Sequence, residues 1–190
     1  DSVTSIDEEA FSFCNLGGIT ISGHVTWIGR GAFKINNMLK SIEISYTGDN
    51  TLHIDDEAFA YNPDLSNVTI RARTVTMGRV VFLDDTPLEV IEFSKTVTAI
   101  SGLPAKFDIA YSCDEGKCGC RKGYENTLPV SSPLFICTPC EAGMESSISV
   151  NLGLCTPCTP GKYAIKVASG NCEHCEPGKY GDEYASNNSK

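Results

Sequence analysis

One phrase recurs along the first half of the chain and limits what that half can fold into. It has the form Ile-x-x-x-Ala-Phe, with a looser last copy, and occupies residues 6–11, 28–33, 54–59 and 77–82. Each copy is followed by Leu-x-x-(Ile/Val)-x-(Ile/Phe), and the phenylalanines lie 22, 26 and 23 residues apart. A unit of this length cannot bury its own apolar face and must stack on copies of itself. The first half is therefore predicted to be a solenoid, a fold that provides contact surfaces far more often than catalysis.

The alternation within each Leu-x-x-Ile-x-Ile segment predicts a strand whose apolar residues point inward. The phenylalanines, leucines and strand isoleucines would then form the core, stacked between coils. The outward residues are mostly small and polar: Thr20, Glu43, Thr69 and Glu92, flanked by Gly18, Ser41, Asn67 and Val90 and by Ser22, Ser45, Arg71 and Ser94. This face lacks the clusters of Trp, Tyr and Arg that dominate binding energy, so the sequence argues against it as a tight binding site.

A second outward row consists of the residue before each Ile or Met of the phrase. It reads Ser5, Trp27, His53, Thr76 and Ala99. Trp27 is the only tryptophan of the chain, and we expect it beside His53 on the adjacent coil, at least partly exposed. One interpretation is a contact patch, since tryptophan anchors many interfaces. The other is that Trp27 covers the edge of the solenoid or packs on the next domain.

The cysteines divide the chain in two. Nine of the ten fall between Cys113 and Cys175, and only Cys14 lies among the repeats, whose pattern ends near Pro104. We therefore predict a mainly β solenoid domain over residues 1–107, with four full repeats and a partial fifth, and a cysteine-rich domain over residues 108–190. Acidic residues outnumber basic ones in both parts, and the net charge of -9 argues against nucleic-acid binding.

Several features favour an extracellular compartment. Residue 1 is Asp and no leader precedes it, which fits either a secreted chain after signal removal or a sequence that begins inside a longer one. Two glycosylation triplets begin at Asn67 and Asn187, and dense cysteines are typical of oxidising surroundings. No apolar stretch is long enough to insert into a bilayer. We predict a secreted or cell-surface glycoprotein, glycosylated at these two asparagines.

A second, shorter repeat runs through the cysteine-rich half. Its full form, Cys-x-x-Cys-x-x-Gly-x-Tyr, occurs at Cys155/Cys158 and at Cys172/Cys175. Looser copies are Cys137-x-x-Cys140-x-x-Gly-Met144 and Cys120-x-x-Gly-Tyr124. Two chemistries fit it. Cys137/Cys140 and Cys155/Cys158 have the spacing of a tetrahedral zinc site. Three features favour disulfides instead: Gly-x-Tyr follows almost every Cys-x-x-Cys pair, the third such pair has no further pair with which to share a zinc ion, and other features of the chain indicate an extracellular location. We expect disulfides, in an elongated module with little regular secondary structure.

The solenoid phrase resembles the BspA-like leucine-rich repeats, whose pattern runs roughly V-T-x-I-x-x-x-A-F-x-x-C-x-x-L-x-x-I-x-I. Residues 3–14 fit it closely, and the resemblance extends to about residue 100. It implies a right-handed solenoid of short parallel strands, found on secreted and surface proteins that attach to or recognise other molecules. Cys14 lies where the pattern has its cysteine, so we expect a free thiol buried in the core.

The cysteine phrase resembles the ephrin-receptor-like cysteine-rich repeats and, more distantly, the first loop of tumour-necrosis-factor-receptor modules. In the latter, the Cys before Gly-x-Tyr pairs with the next Cys along. Carried over to this chain, the resemblance implies the disulfides Cys120–Cys137, Cys140–Cys155 and Cys158–Cys172. Cys113 and Cys118 then remain and, because they are close in sequence, are expected to form a fourth disulfide. Cys175 would then be the first half of a loop whose partner lies beyond Lys190.

No arrangement of residues points to catalysis. The histidines His24, His53 and His174 are scattered, and neither a nucleophile motif nor a phosphate-binding loop occurs. We expect a non-enzymatic protein without a cofactor, an extracellular interaction or adhesion module with a solenoid head on a cysteine-rich stalk. Its partner would be a protein or a glycan. The alternative is a self-associating structural subunit of an extracellular coat or filament.

Overall fold

The chain forms two compact units, and the regular secondary structure of the described residues consists of β-strands. The computed structural model describes residues 3–46, 48–83, 87–88, 91–103, 110–114, 117–128, 131–146 and 154–176. Within these ranges there are 18 β-strands and no helix, and hence no helix that could cross a membrane. The first unit comprises Asp1–Asp108 with Ser131–Leu134, and the second comprises Ile109–Val130 with Phe135–Lys190. The segment 131–134, which the sequence places in the cysteine-rich domain, thus counts with the first unit.

Two parallel sheets make up the first unit. Its strands are β1 (Ser5–Ile6), β2 (Gly18–Gly23), β3 (Trp27–Ile28), β4 (Ser41–Tyr46), β5 (Thr51–Ile54), β6 (Asn67–Arg71), β7 (Thr74–Met77), β8 (Glu92–Ser94) and β9 (Ala99–Ser101). The odd-numbered strands form one sheet and the even-numbered strands the other, each in chain order, with the strand Leu134–Phe135 beyond β8. Because strands alternate between sheets, each coil contributes one strand to each, and the predicted parallel β-solenoid is confirmed.

The repeated apolar residues fill the space between the two sheets. The rings of Phe11, Phe33, Phe59 and Phe82 stack on consecutive coils, with centroids 5.2, 5.4 and 5.7 Å apart. Phe59, with a coil on either side, is fully buried. Phe11, whose ring stacks on that of Phe33, is 42% exposed. The prediction that every phenylalanine of the phrase is buried is therefore wrong for Phe11.

Three further predictions about the solenoid are corrected. Cys14 is an exposed free thiol, not a buried one, and its Sγ donates to Ser12 O at 3.4 Å. Thr69 lies in the predicted outward row, in register with Glu43 and Glu92, but its side chain and that of Ser94 are buried and not exposed; Thr69 Oγ1 donates to Glu92 Oε2 at 3.1 Å. Ala99 pairs with Thr74, and Ser101 takes the place beside Thr76. The last strand is thus displaced by two residues from the register that the spacing predicts.

The turn of each coil holds a left-handed residue at the same position. Three residues after the Ile or Met of the phrase, φ is 55° at Glu9, 59° at Gly31, 58° at Glu57 and 49° at Val80. A left-handed conformation is unusual for a β-branched residue such as Val80. The turns are held in register by bonds between coils, as Glu9 N donates to Arg30 O and Glu57 N to Arg79 O. Stacking of successive turns thus fixes a conformation that only one of the four residues, a glycine, adopts readily.

The second unit is a series of short antiparallel strand pairs. They are β10 (Tyr111–Asp114) with β11 (Lys117–Cys120), β12 (Tyr124–Asn126) with β14 (Cys137–Pro139), β15 (Met144–Glu145) with β16 (Thr156–Pro157), and β17 (Lys162–Tyr163) with β18 (Glu173–His174); β13 is Leu134–Phe135. The glycine of each described motif, Gly123, Gly143 and Gly161, has φ between 84° and 87°. Its carbonyl accepts a bond from the next anchoring cysteine, as in Cys140 N to Gly123 O. The glycine therefore makes the turn that joins one module to the next.

Candidate functional site

Trp27 and His53 lie side by side on the outer surface of the odd-numbered sheet. They are paired in register on β3 and β5, and their rings are 5.6 Å apart and tilted by 35°. Trp27 is 45% exposed, whereas the next residue, Ile28, is fully buried. Alternation along the strand thus directs the indole outward. Because the coils stack in register, the His53 ring of the next coil lies beside it. The structure brings together the two residues that the repeat spacing predicts as neighbours.

Small uncharged side chains surround this pair. We call the outward residues of the odd-numbered sheet the Trp27 face: Ser5, Trp27, Thr51, His53, Thr74, Thr76, Ala99 and Ser101. Strand pairing aligns Thr51 with Thr74 and His53 with Thr76, and Ser101 Oγ lies 3.3 Å from Thr76 Oγ1. No carboxylate, ammonium or guanidinium group belongs to this face. It therefore offers one aromatic platform among hydroxyl groups.

The outer surface of the even-numbered sheet pairs its charges internally. Arg71 forms an ion pair with Glu43 on the adjacent strand, and Glu92 accepts from Thr69. Asn67 is exposed at the start of β6, where its carbonyl oxygen lies 3.5 Å from Thr69 Oγ1. Its side chain is thus accessible, as a glycosylation site requires. The second predicted site, Asn187, lies outside the described residues, as does the flanking Val90.

Ion pairs also cross between coils at the turns. Glu57 accepts from Lys34 Nζ at 2.5 Å and from Arg30 Nη2 at 3.2 Å, and these bonds lower the pKa of its carboxyl group. Bonds from the backbone and then the side chain of Arg79 lower the pKa of Asp56. A carboxyl group whose pKa is lower in the folded than in the unfolded protein stabilises the fold at pH values above its unfolded-state pKa. This contribution is lost as the pH falls through the folded-state pKa. These exposed pairs are therefore small contributors that align the turns.

A ladder of buried asparagines is the main feature that the sequence reasoning missed. Asn36 Nδ2 donates to the carbonyls of Phe11 and Phe33, while its Oδ1 accepts from the backbone of Cys14 and Leu16. Asn62 repeats this one coil later, donating to Phe33 O and Phe59 O and accepting from Asn36 N. The sequence pattern that could have revealed this ladder is the recurrence of Asn-x-x-Leu at Asn36 and Asn62. This ladder is structural, because it satisfies backbone groups inside the turns.

The sequence reasoning also missed an apolar row on the turns. Two residues after the stacked phenylalanine, the chain places Phe13, Ile35 and Tyr61, with φ of 58°, 57° and 57°. Phe13 is 69% exposed and Tyr61 is 38% exposed. We call these three residues the turn row. A groove of about 490 Å³ adjoins it, lined by Lys34, Ile35, Asn37, Tyr61 and Pro63, with Lys34 Nζ 5.2 Å from the centre of the Tyr61 ring.

Four disulfides link the cysteines of the second unit. They are Cys113–Cys118, Cys120–Cys137, Cys140–Cys155 and Cys158–Cys172. The four cysteines of the zinc alternative are therefore distributed over three different disulfides. Among the described residues there is no group of three or more His, Cys, Asp or Glu side chains that could hold a metal ion. Cys175 is a free thiol, as is Cys14 in the first unit.

The stacked coils, the parallel strands and the buried phenylalanine row define a leucine-rich-repeat solenoid. The family model described as BspA type leucine rich repeat region matches residues 1–103, with six copies of the repeat. The chain belongs to this family. Leucine-rich-repeat domains typically mediate protein–protein interaction or adhesion and are generally not catalysts. No curated protein and no solved structure matches the chain.

Proposed function

We propose that this protein is a non-catalytic extracellular recognition or adhesion module whose contact surface is the Trp27 face. The observation that carries the proposal is the exposure of the only tryptophan of the chain on a regular sheet, beside His53. A tryptophan that is half exposed and held by a neighbouring ring loses little conformational freedom when it binds. The opposite face, in contrast, is polar and its charged residues pair with one another.

The cysteines support an extracellular location. Four disulfides are typical of proteins that mature in an oxidising compartment, and Asn67, the first residue of a glycosylation triplet, is exposed. The disulfides Cys120–Cys137, Cys140–Cys155 and Cys158–Cys172 are the pairs that the resemblance to tumour-necrosis-factor-receptor modules implies. The cysteine-rich unit in this proposal is a stalk that holds the solenoid away from a surface.

Replacing Trp27 by serine is expected to weaken adhesion while leaving the fold intact. The protein would be applied to cell surfaces or to extracellular matrix, and its apparent Kd would rise about 30-fold, as for an interface anchor worth about 2 kcal/mol. The melting temperature should change little, since the indole is on the surface. The matched control is Tyr61→Ser, which removes an exposed aromatic ring from the turn row. Equal adhesion of Trp27→Ser and the unchanged protein would contradict the proposal.

A specific observation also favours the structural alternative, a subunit of an extracellular assembly. The turn row exposes apolar side chains on successive coils, and exposed apolar patches mark protein–protein contacts. All three residues hold a left-handed backbone that a glycine would adopt more easily. If this row joins subunits, the unchanged protein should sediment as concentration-dependent oligomers and Tyr61→Glu as a monomer. Monomers of both at high concentration would contradict this alternative.

A further inference from the structure

We propose that the Trp27 face binds a neutral glycan, with the indole of Trp27 as the platform for one sugar ring. This inference rests on the proposed function, because it specifies the partner of the same surface. Three properties of the face lead to it: its small area, its lack of charge and the arrangement of polar groups around a single aromatic ring.

The area of the face is too small for a stable protein interface. Its five strands are two to four residues long. With strands about 4.8 Å apart and about 3.3 Å per residue, the face covers on the order of 200 Å². Stable protein–protein interfaces bury about 800 Å² on each partner. A short oligosaccharide fits this area, whereas a folded protein would have to extend well beyond it.

The charge of the face indicates a neutral ligand. The chain carries a net charge of -9, yet the outward residues of this sheet include no acid, lysine or arginine. Charged residues near this sheet form ion pairs, as Arg30 does with Glu57, Arg79 with Asp56 and Arg73 with Asp49. An anionic polysaccharide or a nucleic acid would require basic side chains here. An uncharged sugar requires none.

The polar groups of the face have the chemistry that sugar hydroxyls need. An indole combines a broad apolar surface with a hydrogen-bonding edge, so the C–H side of a pyranose ring can lie on Trp27. His53, whose ring is 5.6 Å away, can donate and accept hydrogen bonds. The hydroxyl groups of Thr76 and Ser101 continue along the same row. A sugar stacked on Trp27 would thus find hydrogen-bonding partners on the adjacent coils.

The single tryptophan makes the test specific to this site. The full chain would be titrated with neutral trisaccharides of hexose and of N-acetylhexosamine, with Trp27 fluorescence and acrylamide quenching as readouts. We expect a saturable shift of the emission for at least one sugar and protection of the indole from the quencher. His53→Ala should weaken binding about tenfold through loss of a hydrogen bond. Thr20→Ala, on the other sheet, is the matched control and should bind as the unchanged protein does.

Adhesion to surfaces with and without their glycans separates the two proposals. If glycans are the partner, enzymatic deglycosylation of the surface should abolish the adhesion that Trp27→Ser also loses. A different result would overturn the glycan proposal and indicate a protein partner. In that case Trp27→Ser would lose adhesion, but the unchanged protein would adhere equally well to deglycosylated surfaces and show no fluorescence response to the sugars. Undiminished adhesion of Trp27→Ser would overturn the proposed function itself. Trp27→Tyr, which keeps an aromatic platform, should retain part of the sugar affinity if the variant folds normally.

Discussion

Replacing Phe59 by alanine is expected to lower the free energy of unfolding of the solenoid by about 3–5 kcal/mol. The Phe59 ring is fully buried and stacks on both neighbours, with ring centres 5.4 and 5.7 Å away. Its removal therefore leaves a cavity in the middle of the phenylalanine row, where coils on both sides lose contacts. For a unit of this size the melting temperature should fall by more than about 10 °C. Trp27 fluorescence reports the transition of the first unit alone.

Phe11→Ala is the matched control for this prediction. The same substitution at the same repeat position removes a ring that has a neighbour on one side only and is 42% exposed. We expect a loss less than half as large, because less apolar surface was buried and no enclosed cavity forms. Equal effects of Phe11→Ala and Phe59→Ala would show that the stacking of the central coils does not determine the stability of the unit.

Asn62→Ala is expected to destabilise the solenoid by about 3 kcal/mol or more, although it removes no apolar group. The Asn62 side chain donates to Phe33 O and Phe59 O and accepts from Asn36 N, all in the interior of the turns. Phe33 O keeps its bond from Asn36 Nδ2, whereas Phe59 O and Asn36 N lose their partner. Each buried backbone group left without a partner costs about 1–3 kcal/mol. Chemical denaturation followed by Trp27 fluorescence would measure the loss.

Asn37→Ala provides the comparison within the same coil. Asn37 follows Asn36 directly but is exposed, so its replacement should change the unfolding free energy by no more than about 0.5 kcal/mol. An Asn62→Ala protein as stable as Asn37→Ala would mean that water or rearranged backbone satisfies the turns, and that the asparagine ladder is dispensable.

The register of the solenoid could be predicted from the sequence because its cause is periodic. The recurring Ile, Ala and Phe each pair with their counterparts one coil later, as Ile28 does with Ile54. The same periodicity placed Trp27 beside His53. The displacement of the last strand had a local cause. Gly102 has φ of 72°, and a Cβ on it would lie 1.8 Å from Met77 O, so a close contact between two coils, absent from the repeat pattern, sets that register.

The rest of the site could not be predicted because it depends on neighbours in space. The turn row requires left-handed backbone at Phe13, Ile35 and Tyr61, and no propensity scale assigns such a conformation to these residue types. Thr69 is likewise buried although it lies in the outward row, where its Oγ1 donates to Glu92 Oε2. Cys14 is exposed although its residue type and its place in the repeat predict burial. Sequence periodicity predicts which residues align, but not how much of each remains accessible.

The disulfides of the second unit have a mechanical consequence. A covalent route from Cys120 to Cys172 crosses three bridges, whose Cα atoms are 5.3, 5.5 and 5.8 Å apart, and otherwise follows only the backbone of residues 137–140 and 155–158. Even with its backbone fully stretched, this route cannot exceed about 40 Å, whereas the unbridged chain from 120 to 172 could reach roughly 180 Å. A tether of this kind transmits tension with little elongation, and reduction of its three disulfides to thiols would allow it to extend about fourfold.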